Sequence, residues 1–322
     1  MAKDISILVG TIGAGLWVSH DGGRDYGRAG GIWGDMKVFG LKVDPSDPAV
    51  VYAGTDEGIF RSVNRGKAFE RLDSPMNSMH VWNIAVSQSD PSVIFAGTSP
   101  SALFRSTDGG ASWEQLNVDM AEECPNVRVP RVTALEVDPS NSNVVWAGVE
   151  VDGVRRSLDG GDTWTRINGG LNDPDIHGMT VSAGADVTVF TSTPGEVFAS
   201  TDTGESWQGL GVRDSFPLRY CRGITVKQDD PNTLLVATGD SPFGVTGAIQ
   251  RSTDRGQTWE RMALPQEPNT PMWAFATHAS DADFILCCSH YGQIYATADG
   301  GDWWVKLPRE FSEVRGLAWT PN

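Results

Sequence analysis

The sequence predicts an all-β fold: a single seven-bladed β-propeller, with four-stranded blades arranged around a central channel. Three observations carry this prediction. A Ser/Thr-x-Asp-x-Gly-x-x-aromatic motif recurs seven times, at spacings of 43 to 52 residues. Short apolar runs flank every copy in the same order, two before it, one entering it and one leaving it, which is the strand count of a propeller blade. The two chain ends hold complementary parts of one blade.

The copies run in order from Ser19-x-Asp21-x-Gly23-x-x-Tyr26, through Ser62-x-Asn64-x-Gly66-x-x-Phe69 and Ser106-x-Asp108-x-Gly110-x-x-Trp113, to Ser157-x-Asp159-x-Gly161-x-x-Trp164. Ser200-x-Asp202-x-Gly204-x-x-Trp207, Ser252-x-Asp254-x-Gly256-x-x-Trp259 and Thr297-x-Asp299-x-Gly301-x-x-Trp304 complete the set. The motif has a local cause. The Asp carboxylate accepts backbone N–H groups of its own turn, glycine supplies positive φ, and the aromatic packs back over the turn. In one repeat, Trp82–Val86 and Val93–Thr98 are joined by Gln88-Ser89-Asp90-Pro91. Leu103–Ser106 then enters the motif and Ser112–Leu116 leaves it. The blades are expected at about 36–72, 79–118, 128–168, 174–209, 217–262 and 270–307, and the seventh from 313–322 plus 3–29. Glu313–Trp319 reads as a first strand and Ile5–Thr11 as a second, so the C-terminal strand closes the blade begun by the N-terminus and removes exposed edges. A length of 322 residues also fits two domains of about 150 each, but the unbroken repeat favours one.

These motifs resemble Asp-box (BNR) repeats, found in sortilin-type receptors, xyloglucanase-type glycosidases, sialidases and photosystem II assembly propellers, and the resemblance covers nearly the whole chain. It implies the fold and a structural role for Asp21, Asp108 and Trp113. It also implies a ligand face where the inner strands begin, opposite the Asp-boxes. It does not select a function, because sites are grafted onto folds.

Composition narrows the classes. Hydrophobic residues make up 39% and charged residues 20%, which fits a folded chain. With 25 basic and 41 acidic side chains the net charge is −16, which disfavours nucleic acid as a partner. No apolar run is long enough for a membrane-spanning helix. Ile5–Val9 is interrupted by Gly10 and Gly13, so no secretory apolar region is expected. The four cysteines form no CxxC pair. Reduced thiols, a cytoplasmic location and a monomer are the expectations.

Aligning the seven inner strands places one ring at the channel mouth: Phe39, Trp82, Thr133, His177, Arg222, Trp273 and Arg315. Two residues earlier stand Lys37, His80, Arg131, Asp175, Tyr220, Pro271 and Glu313. One residue later come Gly40, Asn83, Ala134, Gly178, Gly223, Ala274 and Gly316, small enough for close approach of neighbouring chains. Two residues past the first ring everything is apolar, from Leu41 and Ile84 to Leu317. Strand parity therefore predicts a polar, cationic mouth above an apolar core. A second set of loops adds Asp56, Glu57, Glu150, Asp152, Asp240, His290 and Tyr291. His20 and His278 lie apart and read as ordinary turn residues.

A cationic mouth in an acidic chain points to a small anionic, carboxylate-bearing substrate. Arg131, Arg222, Arg315 and Lys37 would hold the anion, and Trp82, Trp273 and Phe39 would form the walls. The competing reading pairs each arginine with an acid such as Asp175 or Glu313, tying blades together. Proton transfer by His80, His177 and Tyr220, with Glu313 and Asp175, would suit a hydrolase or lyase. Alternatively His80, His177 and His290, with Glu150, would hold a divalent metal (Zn, Mn, Ca or Mg) that activates water. The resemblance adds a sialidase-like glycosidase, since Arg131, Arg222, Arg315, Tyr220, Glu313 and Asp175 match that inventory in composition. The count of seven repeats rather than six, and the missing arginine-bearing N-terminal strand, set it apart. Xyloglucanase-type enzymes use two propellers, so polymer hydrolysis is disfavoured. The other class is a non-catalytic assembly scaffold that grips an acidic partner segment on the same face. Cys221 should point into blade packing, and Cys124 lies beside Glu122 and Glu123. Gly10-x-x-Gly13-x-Gly15 sits between two strands and reads as a turn, not a nucleotide fingerprint. The enzyme reading further expects a deep pocket roofed by loops 117–130, 208–219 and 239–248.

Overall fold

The computed structural model describes residues 3–124, 128–182 and 187–322. They form seven four-stranded antiparallel sheets, and among the described residues the sole α-helix is the single turn Val212–Ser215. The innermost strands are Val38–Val43, His80–Val86, Val132–Asp138, Gly178–Ser182, Tyr220–Lys227, Met272–Ala276 and Val314–Pro321. Among the described residues no helix is long and apolar enough to cross a membrane.

The last of these strands pairs with Ile5–Thr11, Ile7 opposite Trp319 and Val9 opposite Leu317, so one blade is built from both ends of the chain. The hydrophobic core is divided into seven clusters between blades rather than gathered in one centre. Leu8, Leu16 and Val18 of the closing blade, for example, pack against Val38, Val51 and Phe60 of the next. Trp146, Trp304 and Trp319 are fully buried. The small inner-ring residues have the expected role. A Cβ on Gly40 would lie 2.9 Å from the Trp82 carbonyl oxygen, and one on Gly223 2.6 Å from that of Trp273.

Each Asp-box is a closed set of hydrogen bonds. In the fourth, Ser157 Oγ donates to Asp159 Oδ1 (2.7 Å) and accepts from Gly161 N (2.8 Å). Asp159 accepts from Thr163 N and Thr163 Oγ1 (2.8 and 2.6 Å), and Trp164 Nε1 donates to the Gly161 carbonyl (2.9 Å). Gly161 has φ 100°, a conformation that favours glycine. In the second box Asn64 replaces Asp, yet still accepts from Ser62 Oγ and Ala68 N. These bonds hold the carboxyls of Asp108, Asp159 and Asp254 at about 2. The boxes join third to fourth strands and so lie on the rim opposite the beginnings of the inner strands.

All four cysteines are free and buried. Cys221 is fully enclosed between blades, and burial pushes its thiol well above the ordinary range.

Candidate functional site

The seven mouth positions read from the inner strands do converge. Phe39, Trp82, Thr133, His177, Arg222, Trp273 and Arg315 line one cavity of about 240 Å³ in the channel. Parity fails one layer down. Leu41, Ile84, Leu135 and Met179 line the channel, but so do Lys42 and Glu136. An inner strand lies edge-on to the channel with its two faces turned to the flanking blades, so side chains of both parities reach the lumen.

The mouth is built from stacked planes. On one side Phe39 lies over His80 (5.3 Å between centroids) and Trp82 (4.4 Å), and the Arg131 guanidinium covers Trp82 at 4.3 Å. On the other, Tyr291 stacks on His290 (4.8 Å) and His290 on Trp273 (4.1 Å). Arg222 and Arg315 sit over Trp273 at 3.9 and 4.4 Å. Each of these cation–π contacts is worth about 0.5–2 kcal/mol.

The arginines differ in their partners. Arg131 meets Glu150 at 2.5 Å, and Arg315 meets Glu313 at 2.5 Å, with His290 Nε2 3.2 Å from the same carboxylate. His290 and Arg315 hold Glu313 at about 2. Both arginines thus have the acidic partner that the competing reading expected, but each pair lies within one blade, so neither ties blades together. Arg222 is different. It is only 8% exposed, and among the described residues no carboxylate lies within 4 Å of it. Its polar neighbour is the Tyr220 hydroxyl. Burial, with Arg315 and Arg131 adding like charge, lowers its pKa to about 10.

Beside it, His177 Nδ1 lies 2.7 Å from the Cys221 carbonyl oxygen, which can only accept, so Nδ1 carries the proton and Nε2 is the basic atom. Nε2 is 3.6 Å from Asp175. Burial and Arg222 lower the His177 pKa, against the opposing pull of Asp175, so the ring is neutral at pH 7. Burial raises that of Tyr220, which stays protonated. Trp82 Nε1, Arg131 Nε, Glu150 Oε2 and Asp175 Oδ1 are buried without a hydrogen-bond partner from the protein.

Other expected site residues fall elsewhere or play other parts. Lys37 is exposed, its backbone N–H donating to Asp56. His80 stacks on Phe39 at the rim. Among the described residues no three His, Cys, Asp or Glu side chains come together at metal-ligating distance. His80, His177, His290 and Glu150, expected as a metal set, are instead held separately by Phe39, Cys221 with Asp175, Glu313 and Arg131. Asp152 pairs with buried Arg155 (2.6 Å) and exposed Arg166 (3.1 Å), a network with no signature in the motif spacing. The described residues do not form the expected roof, and residues 125–127 of its first loop lie outside the described residues. No described residue of loops 117–130, 208–219 or 239–248 lines the cavity, and Phe243 stands 88% exposed on the last of them.

Comparison with known proteins agrees with this architecture. The BNR/Asp-box repeat family model matches residues 250–261, the sixth box. The chain is 23% identical over 254 residues to a xyloglucanase of Hypocrea jecorina, covering 69% of this chain and 29% of that protein. It is 26% identical over 193 residues to a xyloglucanase of a Paenibacillus species, covering 51% and 18%. It thus spans less than a third of the length of these curated relatives. Among solved structures, the GH74 xyloglucanase from Xanthomonas campestris superposes with a TM-score of 0.69 at 18% identity, over 98% of this chain and 52% of that one. YCF48 from Cyanidioschyzon merolae gives 0.60 at 15%, over 86% of each. YCF48 bound to D1 peptide gives 0.59 at 13%, over 84% and 80%. The fold and site therefore define a seven-bladed β-propeller with a stacked arginine–aromatic channel mouth. More narrowly, the chain is a propeller whose third-to-fourth-strand turns repeat one Ser/Thr-Asp-Gly-aromatic motif, of which the sixth copy matches the BNR/Asp-box repeat model, and it is similar in fold to both the xyloglucanase and the YCF48 propellers.

Proposed function

We propose that the channel mouth binds a small carboxylate-bearing ligand on Arg222 and performs proton transfer next to that carboxylate, as a lyase does. The observation that carries this reading is Arg222 itself: a buried guanidinium, lining a cavity, with no carboxylate within 4 Å among the described residues. A bidentate ligand carboxylate would supply the missing partner. Neutralising that carboxylate acidifies the C–H bond beside it. His177 Nε2, neutral and basic, can take that proton, and Asp175 at 3.6 Å stabilises the imidazolium formed. The electron pair released forms the C=C bond as the bond to the leaving oxygen breaks, and Tyr220, a protonated phenol, gives that oxygen its proton. Trp82 and Trp273 wall the ligand on either side.

Two other readings have support of their own. Xyloglucanase relatives favour a glycosidase, which needs two free carboxylates. Glu150 and Glu313, however, are each engaged by an arginine and Asp175 faces His177, which leaves Glu136 alone in the cavity wall rather than a pair. A peptide-gripping scaffold is favoured by exposed Trp33, Phe243 and Tyr291 on the loops of the mouth face. The test is a panel of small carboxylates, including β-hydroxy acids and uronates, titrated against tryptophan fluorescence and assayed for alkene formation at 230–240 nm. Saturable binding lost in Arg222→Met supports carboxylate capture, and alkene product lost in His177→Ala and Tyr220→Phe supports elimination. Binding without turnover would favour the scaffold, and release of reducing sugar the glycosidase. Binding that survives Arg222→Met would overturn the proposal.

A further inference from the structure

Below the mouth the channel opens again toward the Asp-box rim, into a larger cavity of about 490 Å³. The two cavities share Leu41, Lys42, Glu136, Ile224 and Phe275 in their walls, so they are successive chambers of one lumen. Aligned positions three residues past the mouth ring supply the polar belt of the lower chamber: Lys42, Glu136, Thr180 and Thr225, with small Ala276 and Ala318 between them leaving the volume open.

The charged groups of this chamber fall into two kinds. Lys227 is tied to Asp229 and to Asp283 at 2.8 Å, and Asp44 accepts from Ser46 N, Ser46 Oγ and Asp47 N in its own turn. Both are structural. Lys42 and Glu136 have neither a hydrogen bond nor an ion pair through their side chains among the described residues, although they carry opposite charges on one belt. They stand on inner strands two blades apart, and the residue between them is Ala85, which is buried and does not reach across. Two opposite charges held apart in a lumen, each without a protein partner, are matched by a ligand carrying both signs. Threonine hydroxyls on the same belt offer either a donor or an acceptor to it.

We propose that the lower chamber is a second binding site, which takes a small zwitterion with its ammonium group on Glu136 and its carboxylate on Lys42. It differs from the mouth site, where the anchor is Arg222 and the walls are indoles, although Lys42 and Glu136 border both chambers. Burial lifts the Glu136 carboxyl to about 7, with Lys42 opposing, so the site is ready for an ammonium above that pH and loses its counter-charge below it. A carboxyl in this state gains its charge when a cation arrives.

The test is calorimetric titration of the whole chain at about pH 8 with β-alanine, 4-aminobutanoate and 5-aminopentanoate, which span three charge separations, against butanoate and butylamine. At least one ω-amino acid is expected to bind about tenfold more tightly than either single-charge control, the size of one charge-assisted hydrogen bond. Glu136→Gln should reduce it to the level of butanoate, and Lys42→Met to that of butylamine. In the unmodified protein, the advantage over butanoate should fade as the pH is lowered from about 8 to about 6, a readout that needs no variant to fold. The proposal is overturned if no ω-amino acid exceeds the controls, if the advantage survives Glu136→Gln, or if it is unchanged by pH.

Discussion

Replacing Arg222 by methionine should make the protein more stable while removing its ligand binding. The guanidinium is 8% exposed with no carboxylate within 4 Å among the described residues, so its charge is carried at a cost. A pKa lowered from 12.5 to about 10 corresponds to roughly 3 kcal/mol of disfavoured charge. The sign follows from linkage. The folded state holds this proton less tightly than the unfolded chain, so at pH 7, below both values, the full cost is present, and it is relieved only as the pH rises through about 10. Methionine keeps contact with the Trp273 ring but loses the cation–π term of about 0.5–2 kcal/mol. The net expectation is a gain of about 1–2 kcal/mol, read as a rise in denaturant midpoint at unchanged slope. Carboxylate ligands should stabilise the parent protein and leave the variant unaffected. A loss of more than about 1 kcal/mol in Arg222→Met, in a variant that still folds two-state, would show that the arginine has a structural partner and refute the reasoning.

Three further outcomes are expected. Carboxylate binding near pH 6 should take up a proton, because an anion on Arg222 removes one of the causes that lower the His177 pKa; calorimetry in buffers of different ionisation enthalpy measures this, and His177→Asn should abolish it. Ser157→Ala should cost about 1–2 kcal/mol in urea unfolding, since it leaves the buried Gly161 N–H without its acceptor and removes one of the donors to Asp159, while Ser157→Thr should recover most of the loss. Glu313, held at about 2, contributes stability that is present above its ordinary pKa and lost as the pH falls toward 2, so Glu313→Gln should flatten the acid limb of the stability profile.

The fold was legible because the Asp-box is local. Each copy closes its own hydrogen bonds within about eight residues, so Ser157, Asp159, Gly161 and Trp164 announce a turn without any distant contact. Seven such turns then set the blade count, and the inner-strand alignment carried over to the ring around the channel. What the alignment could not show was which arginine is free. Glu150 lies nineteen residues from Arg131 and Glu313 two from Arg315, and no spacing rule links these pairs while leaving Arg222 without one. Glu136 and Lys42 were hidden by the assumption that strand parity separates lumen from core. In a blade both faces of the inner strand meet other blades, so charge can stand at either parity. The exposed loops were misjudged for a related reason: length places a loop on a face, but whether it bends over the channel depends on packing that motif spacing does not encode.

The central claim is that Arg222 is the anchor of a carboxylate site between two indoles. A crystal structure of the protein soaked in a saturating small carboxylate tests it most directly. The account predicts carboxylate density in the mouth cavity, both oxygens within about 3 Å of the Arg222 guanidinium nitrogens and the ligand body between Trp82 and Trp273. An Arg222 turned onto Asp175, with the carboxylate bound only at Arg131 or outside the channel, would contradict it.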